Sequence, residues 1–346
     1  MQLADTQVRL FSRPGMVFGR PAADSGPIHR EGVVGERYLF GPVASRRLGR
    51  SLGVDLIPAK TCPFDCVYCE VGRTTRHTDV RASYVDPGEV LRQLGEFFAS
   101  GGRADYITFS GSGEPTLSAD LGHLIREAKR RFGVPVAVIT NGALLTDAAV
   151  RAELADADLV IPSLDSARDE SFEAVNRPLA GISLGKVVEG LAAFVKGFKG
   201  RVWLEVLLVA GVNDSDEDIE ALVAAVGRIA PERVQLGTVI RPPAEKSAVP
   251  VSPEKLECVA QRLSKVVFTE IVAPAALRGA RGAPPEPERA VMDTLARRPC
   301  TAEDLASGLS LEYADVLRAL GALEKAGRVR RVEFANGDFY EPAGKA

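Results

Sequence analysis

From about residue 50 to residue 273, short apolar runs alternate with longer amphipathic stretches, and this alternation leaves few folds open. The runs "LGVDLIP", "YITFSG", "VAVITNG", "DLVIPSLD", "VWLEVLLV" and "VQLGTVI" are rich in Val, Ile and Leu and show no polar face. Such runs predict strands buried on both sides. The stretches between them have readable helix starts. Asp86-Pro87-Gly88-Glu89 offers an N-cap, a proline at the first helical position and an acidic third position. Ser215 and Asp218 make a capping box before "IEALVAAVGRIA", and Ser252-Pro253 opens "EKLECVAQRL". Repeated strand–helix–strand units impose right-handed crossovers and a parallel sheet. The expected fold is α/β, a partial (β/α)6-type TIM barrel over residues 37–273, with function in the loops after the strands' C-terminal ends.

Both flanks differ in character. Residues 1–36 mix Gly, Pro and Arg without periodicity and read as a loose lead-in. The stretch "APAALRGARGAPPEPE" (273–288) is rich in Pro and Gly, and a linker is expected over 274–286. After it come three helical patterns, "PERAVMDTLARR", "AEDLASGL" and "EYADVLRALGALEKAG", the second capped by Thr301. They lead into "RVRRVEFANGDFYEP", where Asn336-Gly337 favours a type I′ hairpin turn. Three short helices and a two-stranded wing predict a small winged helix-turn-helix domain over 287–342. Its core is expected from Val291, Leu295, Leu305, Leu309, Val316, Leu320 and Leu323. Residues 285–346 hold nine basic and eleven acidic side chains, a net of −2. Glu312 and Asp315 open the would-be recognition helix, and only Arg328, Arg330 and Arg331 at the wing base could meet a phosphate. Duplex DNA is therefore not the expected ligand.

The chain's net charge of −3 advertises no affinity for polyanions or acidic membranes. No apolar run approaches the ~18 residues of a membrane span, and the first residues lack the layout of a signal peptide. Five cysteines fit no complete disulfide framework, so a reducing cytoplasm is expected, with clustered thiols serving metal or redox chemistry.

Three of those cysteines fall in "TCPFDCVYCEVG" (61–72), spaced Cys62-x3-Cys66-x2-Cys69. Thiolates select zinc, Cu(I) or iron–sulfur centres. A structural zinc site closes with four ligands, and His77 is the nearest candidate for the fourth. A [4Fe–4S] cluster held by three cysteines leaves one iron open to a small molecule. A zinc-stabilised scaffold and an iron- or redox-sensing regulator that uses the winged helix stand as alternatives to an enzyme.

The spacing, with Tyr68 just before the last cysteine and the loop following the first barrel strand, resembles the radical S-adenosylmethionine (SAM) superfamily. That resemblance implies a [4Fe–4S] cluster on Cys62, Cys66 and Cys69 whose open iron chelates the methionyl amine and carboxylate of SAM. Reductive cleavage then gives methionine and a 5′-deoxyadenosyl radical that abstracts hydrogen from a substrate. An external electron donor of flavodoxin or ferredoxin type is implied. "FSGSGEPTL" (109–117) resembles the family's Gly-Gly-Glu motif, with Ser112, Gly113 and Glu114 at the matching positions and serine replacing the first glycine. The same resemblance implies cofactor contacts for Tyr68, for Asn141 in "VITNG", for Ser163 and Asp165 in "IPSLD" and for Asn213 in "LLVAGVND".

Residues 38–72, and "RPPAE" at 241–245, are similar to a branch distantly related to the tRNA wyosine-synthase enzymes. No cysteine precedes Cys62, so the second cluster of the archaeal wyosine synthases is not expected. The branch implies an RNA or protein substrate, a tRNA base in its narrowest form. Arg241, before two prolines at a strand end, is the candidate clamp for a substrate carboxylate or phosphate. Arg46, Arg47 and Arg177 read as solvated, and His29, His77 and His123 show no catalytic spacing. No residue is assigned to proton or hydrogen transfer. Because every matched motif lies before residue 246, the winged helix is expected to be separable from cluster and SAM chemistry.

Overall fold

The computed structural model describes residues 37–45, 47–272, 286–309, 311–335 and 337–344. The lead-in, Arg46, His29, nearly all of the linker and Asn336 of the wing turn lie outside the described residues.

The barrel opens with a hairpin, β1 (Leu39–Ser45) and β2 (Gly49–Val54), paired antiparallel. The loop after β2 carries a short parallel pair, β3 (Thr61–Cys62) and β4 (Arg76–His77). Then follow α1 (Pro87–Ala99), β5 (Tyr106–Phe109), α2 (Leu121–Phe132), β6 (Val136–Thr140), α3 (Ala148–Glu153) and β7 (Leu159–Pro162). The unit ends with α4 (Asp169–Asn176), α5 (Leu184–Gly197), β8 (Arg201–Leu208), α6 (Asp216–Ile229), β9 (Arg233–Thr238), α7 (Pro253–Leu263) and β10 (Thr269–Ile271). Eight strands form one sheet in the order β1-β2-β5-β6-β7-β8-β9-β10, and every pairing after the first is parallel. β1 and β10 end the order, as in the partial barrel expected.

The six apolar runs are β2, β5, β6, β7, β8 and β9, and the caps behave as their chemistry requires. Asp86 accepts a hydrogen bond from Gly88 N with Pro87 at the first helical position. Ser215 and Asp218 make the reciprocal capping box, and Ser252 accepts from Lys255 N. β1 and β10 were not foreseen. β1 holds Gly41-Pro42, and its register slips between Phe40 and Val43, so it shows no apolar alternation. β10 has only three half-buried residues.

Sheet and helices meet in one large core, in which Leu94, Ile107, Phe109, Leu124 and Ile125 are completely buried. Each such side chain contributes about 1.5–3 kcal/mol of transfer free energy. The second domain comprises α8 (Pro287–Leu295), α9 (Ala302–Leu309), α10 (Tyr313–Lys325) and the antiparallel wing β11 (Val329–Phe334) and β12 (Gly337–Pro342). All seven expected core residues sit in its own separate core.

The two domains are not merely tethered. α8 and α9 pack on β1. Among the described residues three ion pairs cross between them: Arg37 to Asp293 at 2.9 Å, Arg297 to Asp55 at 3.3 Å and Arg241 to Asp304 at 3.4 Å. Separability, read from where the motifs end, does not extend to the contacts. Among the described residues no helix is long and apolar enough to cross a membrane.

Candidate functional site

The loop between β2 and α1 carries Cys62, Cys66 and Cys69, none of them in a disulfide and all partly exposed. Its backbone is stitched on two sides. Cys69 N donates to Cys66 O, closing a turn, while Asp65 N and Val67 N donate to Asn176 O and Val175 O at the end of α4. Cys62 Sγ accepts from Phe64 N at 3.5 Å and from Asn141 Nδ2 at 3.3 Å. Cys66 Sγ accepts from Asn176 Nδ2 at 3.4 Å. Burial pushes the thiols of Cys62 and Cys66 well above the ordinary range, and their neighbouring carboxylates and thiols push the same way. Such thiols give up their protons only to a strong positive charge such as bound iron. Among the described residues no three His, Cys, Asp or Glu side chains converge to hold one metal ion. A polynuclear cluster asks instead for each thiolate on its own iron, and this loop's set of soft, spaced donors fits that demand.

A small cavity behind the loop gathers several of the expected residues: Tyr68, Asn141, Ser163 and Asp165 line it, together with Phe64 and Asn176. Tyr68 Oη donates to Asp165 Oδ2 at 2.5 Å, and Asn176 Nδ2 donates to the same oxygen at 2.7 Å. Leu207 N donates to Asp165 Oδ1 at 3.0 Å. Burial raises the Asp165 carboxyl to about 6 against these three stabilising donors. Asn213 stands behind this cavity rather than in it. It is buried, its Nδ2 donates to the carbonyls of Asp165 and Leu207, and its Oδ1 accepts from Val209 N.

The "GSGE" turn lies after β5 and beside the cysteine loop. Gly111 has φ +146°, and a Cβ there would meet the Asp55 carboxylate at 2.3 Å. A Cβ on Gly113 would meet Ile57 Cγ2 at 2.4 Å and Thr61 O at 2.6 Å. Both glycines are therefore required by close approach. Backbone bonds from Lys60 N to Ser112 O and from Glu114 N to Thr61 O lace the turn to the start of the cysteine loop. Glu114 is almost fully buried. Its Oε1 accepts from Thr116 N, Thr116 Oγ1 and Thr140 Oγ1, and its Oε2 accepts from Asn141 N. Three of these donors fall on Oε1 and one on Oε2, which keeps a lone pair to spare, and Glu114 ties the turn after β5 to the loop after β6. Ser112 Oγ donates to Asp55 Oδ2 at 2.6 Å, and Ser112 N donates to the same carboxylate.

Arg241 lies apart from the cavity, at the winged helix. It is buried, with NH1 at 3.2 Å from Glu70 and NH2 at 3.4 Å from Asp304, and its Nε makes no hydrogen bond. Arg47 pairs with Glu205, and Arg177 pairs with Glu245. Residues missed in the sequence are Asn176, Asp55 and Arg297. Each is polar, buried or nearly so, and distant in sequence from what it touches, so no spacing announces it.

Comparison with known proteins follows the same division. Residues 56–223 match the radical SAM superfamily and residues 274–333 match the DprA winged helix domain. A UPF0026 protein of Methanocaldococcus jannaschii is 36% identical over 235 residues, 67% of this chain and 71% of that one. The chain belongs to the UPF0026 family of the radical SAM superfamily. A protein of Brachyspira hyodysenteriae named GTPase Obg is 38% identical over 302 residues, which cover 87% of this chain but only 44% of that relative. A radical SAM methyltransferase structure from Sphaerobacter thermophilus shares the fold at a TM-score of 0.50 and 20% identity, covering 67% of each chain. This radical SAM enzyme thus carries a winged helix domain of DprA type on a mostly parallel eight-stranded sheet. Membership in the superfamily implies a [4Fe–4S] cluster and SAM.

Proposed function

We propose that Cys62, Cys66 and Cys69 hold the [4Fe–4S] cluster and that SAM occupies the space bordered by the GSGE turn, Asn141, Ser163 and Asp165. The observation that carries this reading is the convergence of these side chains on the cysteine loop. The side-chain amides that reach Cys62 and Cys66, from Asn141 and Asn176, line the same space as Tyr68, Ser163 and Asp165. When bound, the cluster supplies the electron that cleaves SAM to methionine and a 5′-deoxyadenosyl radical. The chain's own residues set the stage for that step. Asn141 and Asn176 direct N–H dipoles at two thiolates, which stabilises negative charge there. Asp165, held by Tyr68 and Asn176, is the carboxylate placed for a ribose hydroxyl. Glu114 holds the Asn141 backbone and faces the region of the methionyl ammonium.

The substrate proposed is a macromolecular group, a tRNA base or a protein side chain, offered at the barrel mouth beside the winged helix. The wing favours recognition other than duplex DNA, since Arg330 pairs with Glu341 and Arg331 with Asp338. Electrons would come from a flavodoxin- or ferredoxin-type donor. Anaerobic reconstitution should give brown protein with about four irons, as the cluster type requires. With dithionite it should release 5′-deoxyadenosine and methionine. Methylthioadenosine as the main product, or iron retained after loss of Cys66, would overturn the reading. Comparing modified nucleosides and peptides from cells with and without the protein tests the substrate class.

A further inference from the structure

The serine that replaces the first glycine of the Gly-Gly-Glu motif has a partner that a glycine could not have. Ser112 Oγ and N both donate to Asp55, which sits at the C-terminal end of β2. Gly111 is the residue whose missing Cβ lets that carboxylate approach. On its other side Asp55 meets Arg297, which comes from the winged helix, just past α8. Arg297 Nε lies 3.3 Å from Asp55 Oδ2, and its guanidinium stacks on the Phe40 ring at 4.5 Å. Both side chains are largely out of water, at 14% and 11% exposure. Burial pushes the Asp55 carboxyl up, and the Arg297 charge pulls it back. A second arginine crosses the other way: Arg241 from the barrel bridges Glu70, next to Cys69, and Asp304 on α9.

We infer that Arg297 is a positioning residue for SAM binding, acting from the winged helix through Asp55 and Ser112 on the turn that receives the methionyl end of SAM. This rests on the reading of the site given above. The physical route is short. A buried carboxylate needs a compensating charge, and removing one partner of such a pair leaves the other uncompensated. Without Arg297, Asp55 holds a proton or turns toward water. A protonated carboxyl is the weaker acceptor for the Ser112 N–H and hydroxyl, and one turned toward water loses them. Ser112 O accepts from Lys60 N, so the displacement reaches the cysteine loop as well. The docked winged helix thereby completes the SAM site, and undocking it would loosen that site.

The test uses the full-length, reconstituted holoprotein. SAM affinity is measured by equilibrium dialysis, and the spectrum of the reduced cluster is recorded by electron paramagnetic resonance with and without SAM. Arg297→Gln should weaken SAM binding about tenfold, equivalent to about 1.4 kcal/mol, with iron content unchanged and a smaller SAM-induced spectral change. Arg297→Lys should restore part of the affinity, since it returns the charge without the planar fork. Asp55→Asn should resemble Arg297→Gln, and the double variant should be no worse than either single one, because both cut the same link. Ser112→Ala, a gentler change, should weaken binding several-fold in the wild-type background and have no further effect on Arg297→Gln. Wild-type affinity and spectrum in Arg297→Gln, or additive losses in the double variant, would overturn the inference. If wild-type protein binds its cluster but no SAM, the reading of the site itself fails instead.

Discussion

Replacing Glu114 by Gln keeps the side chain's shape and exchanges one carboxylate oxygen for an NH2 group. With the remaining oxygen at the Oε1 position, the contacts to Thr116 N, Thr116 Oγ1 and Thr140 Oγ1 at 3.0, 2.6 and 2.6 Å survive. The new amide then faces Asn141 N, which now donates to Oε2 at 2.8 Å. Two donors would confront each other in a buried place. Losing a charge-assisted bond costs about 1.5–3 kcal/mol, and a stranded buried donor costs about 1–3 more. Part of this is offset because a neutral amide is cheaper to bury than a charge, so about 2–3 kcal/mol of net destabilisation is expected. The opposite amide orientation keeps the bond from Asn141 N and lets the two threonine hydroxyls turn to accept from the NH2, but it sets that NH2 against Thr116 N, so one buried donor is stranded either way. Thr140→Val removes one donor to Glu114 and the acceptor of Gly142 N at 3.1 Å, and should cost about 1–3 kcal/mol. Urea unfolding of the cluster-free protein, with the denaturant slope unchanged, measures both. Glu114→Gln within about 0.5 kcal/mol of wild type, the range of inert surface changes, would show that the carboxylate does not tie the turn after β5 to the loop after β6.

Alanine at Cys62, Cys66 or Cys69 should abolish iron binding, whereas alanine at Cys258, which is exposed, or at Cys300, which is buried in the winged helix core, should leave iron content unchanged. Asp165 binds its proton more tightly folded than unfolded, with its carboxyl raised to about 6 from 3.8. The resulting stability is complete below pH 3.8 and is lost as pH rises through about 6, a change on the order of 3 kcal/mol. Asp165→Asn lacks this term, so its stability relative to wild type should improve between pH 4 and 7; a flat difference across that window would refute the shift. A fragment beginning near Pro284 should fold alone on its separate core and bind random duplex DNA no more tightly than ~10⁻⁴ M at physiological salt. Submicromolar binding with a steep salt slope would instead revive a regulatory role for the winged helix.

What was legible in the sequence follows from locality. The six central strands announce themselves because each is apolar on both faces, and the helix starts do so because a cap acts within three residues. The cysteine loop, Gly113 and Tyr68 are local patterns too. β1 escaped because Gly41-Pro42 and a slipped register break its alternation, and β10 because three half-buried residues carry no period. Asn176 reaches Cys66 across 110 residues, and Arg297 reaches Asp55 from another domain. Such pairings are made by the fold, and no spacing rule encodes them. Arg241 was legible as a fixed guanidinium, but its carboxylate partners belong to the protein's own Glu70 and Asp304.

The hairpin that opens the barrel has a consequence for solubility. Among the described residues β1 ends the order of the sheet, with β2 as its one strand neighbour, and a strand with free backbone groups along one side is a template for pairing with another chain. Here that strand carries a proline and a register slip, and α8 and α9 pack on it. A chain cut in the linker would keep all its chemistry-bearing loops but uncover this strand. Besides a looser SAM site, it should show concentration-dependent self-association, visible as growing particle size before any loss of secondary structure, and a second, N-terminal truncation that takes away β1 as well would only pass the open edge on to β2.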